Sequence, residues 1–211
     1  MSGRVLQVEA DGGSRGNPGV AGYGALVRDP ATGEILRTDA APLGKASNNV
    51  AEYSGLVAGL RMARDLDPEA RVHVLMDSKL VVEQMSGRWK IKHDDMRRLA
   101  AEARAVLPPE RVSYEWIPRN RNKDADRLSN EAMDAGARGG QWDAGASEVP
   151  VAAPAKASTT SASAVAESGL EADADVRAVE AELRELRRAY SEHLLEEFAS
   201  GDVFASHKRY R

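Results

Sequence analysis

Cysteine is absent from the 211 residues of this chain, and long apolar runs are absent as well. Without cysteine the protein cannot contain disulfides, zinc sites built on thiolates or a cysteine nucleophile, and the absence fits a cytoplasmic protein. No run approaches the roughly 18 uninterrupted apolar residues of a membrane span, and no apolar signal segment stands near the first residue. We therefore expect a soluble, cytoplasmic protein that has no membrane partner.

Charge and composition both change near residue 139. Residues 1–138 carry 21 Lys plus Arg against 20 Asp plus Glu, whereas residues 139–211 carry 8 against 13. Residues 139–170 are rich in Ala, Ser, Thr, Pro and Gly, and such a composition cannot build a core. Beyond them, apolar residues recur at steps of three and four, and the chain ends in basic residues. We predict a folded domain over 1–138, a flexible Ala/Ser-rich linker over 139–170, an amphipathic helix over 171–199 and a basic tail over 200–211.

A glycine-rich stretch follows the first predicted strand. The apolar residues of 5–8 predict a strand, Asp11 comes at its end, and the segment DGGSRGNPG then continues to Gly19. Because this density of Gly and Pro interrupts regular structure, we predict a tight loop with exposed backbone N–H groups beside the carboxylate. A polar, anionic ligand could approach such a loop closely. A plain hairpin with a turn-capping Asp is the alternative.

Three further carboxylates lie at the ends of predicted elements. Glu52 is in the first turn of a predicted helix, Asp77 ends the predicted strand of residues 71–76, and Asp126 is in the first turn of the last predicted helix. Each alone is more simply explained as a helix-capping carboxylate. Together with Asp11 they are more economically explained by one shared site, since open α/β sheets bind ligands beyond the carboxyl ends of their strands.

The chemistry of four carboxylates without His or Cys partners suits hard divalent cations such as magnesium or manganese. Two such ions held about 4 Å apart can promote in-line hydrolysis of a phosphodiester. The order of predicted elements is three strands, a helix, a strand, helices, a strand and a helix. That order favours a mixed five-stranded sheet with helices on its faces.

Four segments of the chain resemble those of the type I ribonucleases H. They are DGGSRGNPG at 11–19, SNNVAE at 47–52, MDSKLVV at 76–82 and N-x-x-A-D-x-L at 122–128. Each segment alone is a weak signal, but their joint order and spacing are specific, and the resemblance covers about residues 4–138. The chain is similar in particular to the short-loop N-terminal domain of actinobacterial bifunctional ribonuclease H/phosphatase proteins.

The resemblance implies a fold, an activity and a set of site residues. The fold would be the ribonuclease H-like α/β fold, a mixed five-stranded sheet whose first three strands are antiparallel, flanked by helices. The activity would be metal-dependent endonucleolytic hydrolysis of the RNA strand of RNA/DNA hybrids, by a two-metal mechanism that leaves 5′-phosphate and 3′-hydroxyl ends. Two Mg²⁺ ions would serve as cofactors, with Mn²⁺ as an alternative. The implied catalytic and metal-binding acids are Asp11, Glu52, Asp77 and Asp126, and the implied substrate-binding residues include Gly12, Gly13, Ser14, Arg15, Asn17, Asn48, Asn49 and Ser78.

The chain departs from the family pattern in two places. The loop PRNRNKDAD contains no His; Arg119 resembles the Arg of shorter-loop members and is our candidate for the catalytic position, with Arg121 as the alternative. The basic protrusion that grips hybrid in some members is missing, which leaves Trp89, Lys90 and their basic neighbours as a reduced substrate-binding surface. The 73 residues after Arg138 contain no Arg-His-Gly motif and are too few for a phosphatase domain, so we expect none in this chain.

Two other functions stay open at this stage. One is a catalytically silent nucleic-acid-binding module, although the complete set of four acids argues against it. The other is cleavage of double-stranded RNA, because hybrid and duplex RNA share the shape of the minor groove. For the helix of 171–199, the narrow apolar stripe predicts self-association or binding of a protein partner.

Overall fold

Five strands form one mixed sheet in the computed structural model, which describes residues 4–152. The strand order is β3-β2-β1-β4-β5. The first three strands pair antiparallel, and β4 lies parallel to both β1 and β5. This confirms the predicted sheet. The strands are β1 Val5–Gly16, β2 Gly19–Arg28, β3 Ile35–Ala46, β4 Arg71–Met76 and β5 Val112–Trp116.

Four helices cover the two faces of the sheet. Buried side chains of α1, α2 and α3 join those of β1 and β4 in the larger hydrophobic core, whereas α4 contributes to a smaller cluster with β2 and β3. The hydroxyl of Ser47 caps α1 by accepting a hydrogen bond from the Val50 N–H at 3.3 Å, as its residue type predicts. The helices are α1 Asn48–Leu66, α2 Lys79–Met85, α3 Asp94–Val106 and α4 Lys123–Ala137.

The glycine-rich stretch is part of the sheet, which corrects the loop predicted from the sequence. Strand β1 continues to Gly16, and only Asn17 and Pro18 lie between it and β2. The glycines are there because helices pack very closely on the hairpin. A Cβ on Gly12 would lie 2.1 Å from the backbone N of Glu52, and one on Gly24 would lie 2.4 Å from the Cβ of Leu128.

The folded part of the chain extends past Arg138, where the sequence placed the end of the domain. Val149 is buried in the smaller cluster with Trp142 packed beside it, and the Ala152 N–H donates to the Ile35 carbonyl at 2.7 Å. These contacts escape a compositional argument because two large apolar residues are enough to anchor an otherwise polar segment. The rest of the predicted linker, the helix of 171–199 and the tail of 200–211 lie outside the described residues. Within residues 4–152 no helix has the length and apolar character needed to cross a membrane.

Candidate active site

The four acids singled out from the sequence come from four different elements. Asp11 is on β1, Glu52 on α1, Asp77 directly after β4, and Asp126 in the first turn of α4. One pocket contains three of them, and Asp126 joins it through an ion pair with Arg119, which lines the same pocket. The full lining is Asp11, Gly12, Gly13, Ser14, Arg15, Asn48, Glu52, Asp77, Arg119, Ser129, Asn130 and Met133.

The sheet brings two of these acids to the same edge. Strands β1 and β4 are parallel neighbours, with Glu9 paired to Leu75, so Asp11 and Asp77 follow at equivalent positions two residues later. Glu52 reaches this edge because Gly12 leaves room for the backbone of α1. Glu52 lies in the second turn of its helix rather than in the first, so it is not a helix-capping carboxylate.

Asp11 is held by a residue that the sequence analysis did not select. The Ser129 hydroxyl donates to Asp11 Oδ2 at 2.5 Å. Burial raises the pKa of Asp11 above its ordinary value, and the charges of Asp77 and Asp126 raise it further, while the Ser129 hydrogen bond and Arg119 lower it. Ser129 stands three residues after Asp126, one helical turn along α4, and that spacing was the available signal for it.

Glu52 and Asp11 are the two buried acids of the four, and the hydrogen bond of Glu52 is the longer one. Its side chain is 7% exposed, and Oε2 has no hydrogen-bond partner among the described residues. Oε1 accepts only a long hydrogen bond, 3.4 Å, from the Asn48 amide. Burial, followed by the charges of Asp11 and Asp77, raises the pKa of Glu52 to about 9.

Asp77 is positioned by Asn122, a fully buried residue at the N-terminus of α4. The Asn122 amide donates to Asp77 Oδ1 at 2.7 Å and to the Ala10 carbonyl at 3.0 Å. One side chain thus fixes the end of β4 relative to β1. The motif N-x-x-A-D-x-L, which contains Asp126, begins with Asn122, but sequence reasoning assigned Asn122 no role of its own.

Asp126 is held from two sides. Arg119 donates to its Oδ1, and this hydrogen bond, together with the charge of Asp126, raises the pKa of the guanidinium. The Asn130 amide donates to the backbone carbonyl of Asp126 at 2.8 Å and to its Oδ2 at 3.3 Å. Arg121, the alternative candidate from the same loop, does not line the pocket.

The predicted substrate-binding residues divide into two groups. Gly12, Gly13, Ser14, Arg15 and Asn48 line the pocket, and the Asn17 side chain accepts a hydrogen bond from the Asn48 backbone N–H at 3.2 Å. The others, Asn49, Ser78, Trp89 and Lys90, do not line it.

The donor set fits hard divalent cations. Oxygen ligands are what magnesium and manganese prefer, and the buried, unpartnered Glu52 Oε2 is an atom that a cation would satisfy. In the side-chain arrangement of residues 4–152, no group of three or more Asp, Glu or His side chains is close enough to hold one ion. Two of the acids are instead engaged by protein partners, Asp11 by the Ser129 hydroxyl and Asp126 by Arg119.

The fold and its acids define a known class of protein. Residues 9–132 match the family described as reverse transcriptase-like. The bifunctional protein Rv2228c of Mycobacterium tuberculosis is 55% identical over 138 residues, which are 65% of this chain and 38% of that protein. The solved N-terminal RNase H domain of Rv2228c is 54% identical, with a TM-score of 0.62, and the match covers 64% of this chain and 98% of that one.

Two other solved structures are similar over nearly their whole length. RNase H1 from the archaeon Halobacterium salinarum is 37% identical, with a TM-score of 0.58 and coverage of 62% of this chain and 98% of that one. LC11-RNase H1, solved in complex with RNA/DNA hybrid, is 34% identical, with a TM-score of 0.58 and coverage of 63% and 99%. This chain belongs to the type I ribonuclease H family. It spans 38% of the length of the mycobacterial bifunctional relative.

Proposed function

We propose that this chain is a metal-dependent endoribonuclease that hydrolyses the RNA strand of RNA/DNA hybrids. The observation that carries the proposal is the meeting of Asp11, Glu52, Asp77 and Asp126 beside a glycine-rich sheet edge. Bringing carboxylates together in a buried site is costly because their negative charges repel. Divalent cations bound between them would offset that cost. The complex of the related LC11-RNase H1 with hybrid supports the choice of substrate.

The four acids would hold two Mg²⁺ ions, and Mn²⁺ would be an alternative occupant with the same preference for oxygen ligands. When bound, two ions would assist attack of water and stabilise the leaving oxygen of the phosphodiester. Water adds to phosphorus as the bond from phosphorus to the 3′-oxygen breaks. The RNA pieces would therefore carry a 5′-phosphate and a 3′-hydroxyl.

The residues around the acids would bind and orient the substrate. Gly12 and Gly13 contribute only backbone atoms to the pocket lining, and a sugar-phosphate chain would approach that backbone closely. Asn48 and Ser14 supply polar groups next to it, and polar contacts to the 2′-hydroxyl are what distinguish RNA from DNA. Arg15 stands at the pocket wall paired with Asp134 at 2.6 Å, and a substrate phosphate would compete for its guanidinium.

Other residues would keep the acids in position. Ser129 and Asn122 each donate to one carboxylate from inside the fold, so Asp11 and Asp77 do not have to be ordered when substrate arrives. Such preorganisation lowers the free-energy cost of reaching the transition state. Arg119 offsets part of the acidic charge through its ion pair with Asp126, and we propose that it releases Asp126 during turnover.

The direct test is incubation of the full chain with end-labelled RNA/DNA hybrid, double-stranded RNA and double-stranded DNA. Each substrate is tested in EDTA, in Mg²⁺ and in Mn²⁺. We expect the RNA strand of the hybrid to be cleaved in Mg²⁺ and in Mn²⁺. In EDTA we expect no cleavage. Absence of hybrid cleavage under all conditions, with a folded protein, would refute the proposal. Equal cleavage of double-stranded RNA would instead broaden the substrate class.

A further inference from the structure

Arg28, the last residue of β2, joins four parts of the fold. Its Nε and Nη2 donate to the two carboxylate oxygens of Glu9 on β1, at 2.8 and 3.2 Å. Its Nη1 donates to the carbonyl of Gly33 at 2.8 Å, and Nη2 also donates to the carboxylate of Asp124 on α4 at 2.9 Å. Because the planar guanidinium fork matches carboxylates in a defined geometry, these contacts fix both the position and the orientation of Arg28.

The Glu9 end of this network is buried on the strand that carries Asp11. Glu9 is 5% exposed, and its Oε1 also accepts a hydrogen bond from the Gln7 amide at 2.7 Å. Side chains alternate along a strand, so Glu9 and Asp11, two residues apart on β1, are on the same face. On that face Asp11 is held by Ser129 of α4. Glu9 therefore anchors Arg28 on the side of the sheet where α4 packs.

Helix α4 begins without the side-chain cap that its first residues could provide. Asn122 occupies the N-cap position, but within residues 4–152 its side chain makes no capping hydrogen bond. Its amide donates instead to the Ala10 carbonyl and to Asp77. Asn is among the residue types that cap helices best, and a helix start without such a cap is less stable. The first turn of α4 therefore depends on contacts from outside the helix.

Asp124 makes such a contact, two residues before Asp126. Both acids are in the first turn of α4. The Asp126 N–H donates to the Asn122 carbonyl at 3.0 Å, which closes the turn that contains Asp124. The Arg28–Asp124 ion pair thus ties the turn that carries Asp126 to β1 and β2.

We propose that Arg28 is a positioning residue for Asp126. Through Asp124 it fixes the first turn of α4 against β1, and that turn brings Asp126 to the other acids. Neither Arg28 nor Asp124 lines the pocket of the acids, so both act through the position of the helix. The inference deepens the proposed function and rests on it, because Asp126 is taken as one of the metal-binding acids.

A role in stability alone accounts for only part of the network. The buried Glu9–Arg28 pair fulfils that role without Asp124, whose side chain is 43% exposed. Ion pairs of such exposure contribute little to stability. An acid in the first turn also interacts favourably with the helix dipole, but that interaction needs no guanidinium. What the contact with Asp124 adds is a defined position for the start of α4.

Two single variants separate this contact from the rest of the network. Arg28→Lys keeps a positive charge for the buried Glu9 but lacks the fork that reaches Asp124 as well. Asp124→Asn removes a charge at the exposed end of the network and leaves the Glu9–Arg28 pair intact. The controls are Arg61→Lys and Glu102→Gln, which alter in the same two ways a 2.7 Å ion pair between α1 and α3, away from the pocket.

Amide hydrogen exchange in EDTA tests the positioning without metal or substrate. We expect the Asp126 N–H to exchange about threefold faster or more in Arg28→Lys and in Asp124→Asn, which is the order of a lost half-exposed ion pair. The internal reference is the Arg97 N–H, which donates to the His93 carbonyl at 3.0 Å in the first turn of α3. His93 makes no capping hydrogen bond with its side chain either, and exchange at Arg97 should stay unchanged.

Metal binding and cleavage provide the functional readouts. We expect Arg28→Lys to raise the half-saturating Mn²⁺ concentration about threefold, measured from the rise in melting temperature with added metal. Single-turnover cleavage of hybrid in Mg²⁺ should be about fivefold slower or more, because small displacements of catalytic groups reduce rates strongly. Hybrid affinity in EDTA should stay within about twofold of wild type. Arg28→Lys decides these readouts because it conserves charge, whereas Asp124→Asn would weaken cation binding by its charge alone.

The double variant tests whether Arg28 acts through Asp124. If it does, Arg28→Lys with Asp124→Asn should cleave hybrid as slowly as the slower single variant, since the same contact is lost only once. Losses that multiply in the double variant would overturn the proposal, because the two residues would then act independently.

The exchange and functional readouts can each overturn the proposal. Unchanged exchange at Asp126 in both variants would show that Arg28 does not hold the helix start, and Asp124→Asn alone suffices for this if Arg28→Lys does not fold. Faster exchange, with Mn²⁺ binding and cleavage equal to the controls, would show that the contact is structural only. A wild-type chain that cuts no hybrid would refute the proposed activity, while exchange and Mn²⁺ binding would still decide whether Arg28 positions Asp126.

Discussion

Glu52 is the residue at which burial and charge conflict most strongly. It is nearly inaccessible, it has one unpartnered oxygen, and two other acids face it. With its pKa raised to about 9, the folded, metal-free protein retains the proton of Glu52 over a pH range in which the unfolded chain releases it. The stability of the metal-free fold should therefore fall as pH rises from about 4.5 towards 9.

Glu52→Gln removes this pH-dependent cost. In EDTA at pH 8 we expect the free energy of unfolding of the variant to exceed that of wild type, measured relative to the difference at pH 4, by up to about 5 kcal/mol, because pH 8 lies about 3.5 units above the ordinary pKa of 4.5 and each unit corresponds to about 1.4 kcal/mol. At pH 4 Glu52 of the wild type is mostly protonated in the folded and in the unfolded protein. The pH-dependent difference in stability between wild type and variant should therefore disappear. Thermal unfolding at the two pH values measures it, with the exposed Glu110→Gln as the control. A variant that is no more stable at pH 8 than at pH 4, relative to wild type, would contradict this account of the buried acid.

Arg119 is expected to affect turnover more than binding. Its guanidinium is paired with Asp126 and lines the pocket of the acids. Arg119→Ala therefore removes a positive charge from beside a proposed catalytic acid. We expect kcat to fall about tenfold and KM to change little, a smaller loss than the roughly 10²- to 10⁴-fold typical of a lost general acid or base. Arg121→Ala should leave kcat nearly unchanged, because Arg121 does not line the pocket. Steady-state kinetics of the two variants decides between them, and a loss of kcat confined to Arg121→Ala would show that Arg121, and not Arg119, acts in turnover.

At the scale of elements, close contact between helices and the glycine-rich hairpin determines where the acids stand. Helix α1 approaches β1 at Gly12 so closely that Glu52 reaches the edge occupied by Asp11. Helix α4 approaches β2 at Gly24, which brings Ser129 to Asp11. The glycines are therefore needed for the spacing of the elements, and through it for the geometry of the site.

Gly12→Ala should separate α1 from the sheet. Its Cβ would lie 2.1 Å from a backbone atom, which a side-chain rotation cannot relieve. We expect destabilisation of about 3 kcal/mol or more together with loss of hybrid cleavage. Chemical denaturation measures the first effect, and Gly140→Ala serves as the control because its Cβ would meet only an ordinary contact at 3.6 Å. A Gly12→Ala protein as stable as the control would show that the close approach is not needed.

Elements were easier to predict from the sequence than the contacts between them. The strands, the four helices and the Ser47 cap follow from periodicity and local chemistry, because those depend on neighbours in the chain. The continuation of β1 through Gly12 and Gly13 was missed, since glycine density indicates a loop unless one knows that a helix packs there. Ser129 and Asn122 were missed for a related reason: each acquires its role from a partner more than 40 residues away.

For the whole molecule, the main question is where the functional domain ends. The segment after α4 is anchored by Trp142, which donates to Glu131 at 2.8 Å, by Val149, and by the Arg127–Glu148 ion pair of 2.7 Å. Glu131 also accepts from the Glu148 backbone N–H at 3.0 Å. A boundary at residue 138 would remove all of these contacts from α4, the helix that carries Asp126 and Ser129.

Two truncations distinguish the two boundaries. A chain ending at Ala152 should retain the melting temperature of the folded domain and its cleavage of hybrid per active site. A chain ending at Arg138 should melt several degrees lower, because it exposes the cluster that Val149 covers. Calorimetry and single-turnover cleavage of both chains provide the measurement. Equal melting temperatures would mean that the segment of 139–152 contributes nothing to the domain.

The central claim is that the clustered acids make this chain a metal-dependent nuclease for hybrids. Single-turnover cleavage of a 5′-labelled RNA strand in hybrid by wild type, Asp77→Asn and Asp95→Asn tests it most directly, since Asp95 is an exposed acid on α3 outside the pocket. We predict Mg²⁺-dependent cleavage with 3′-hydroxyl ends for wild type and Asp95→Asn, and a loss of at least about a thousandfold for a folded Asp77→Asn protein. Asp77→Asn cleavage at the rate of Asp95→Asn would contradict the account.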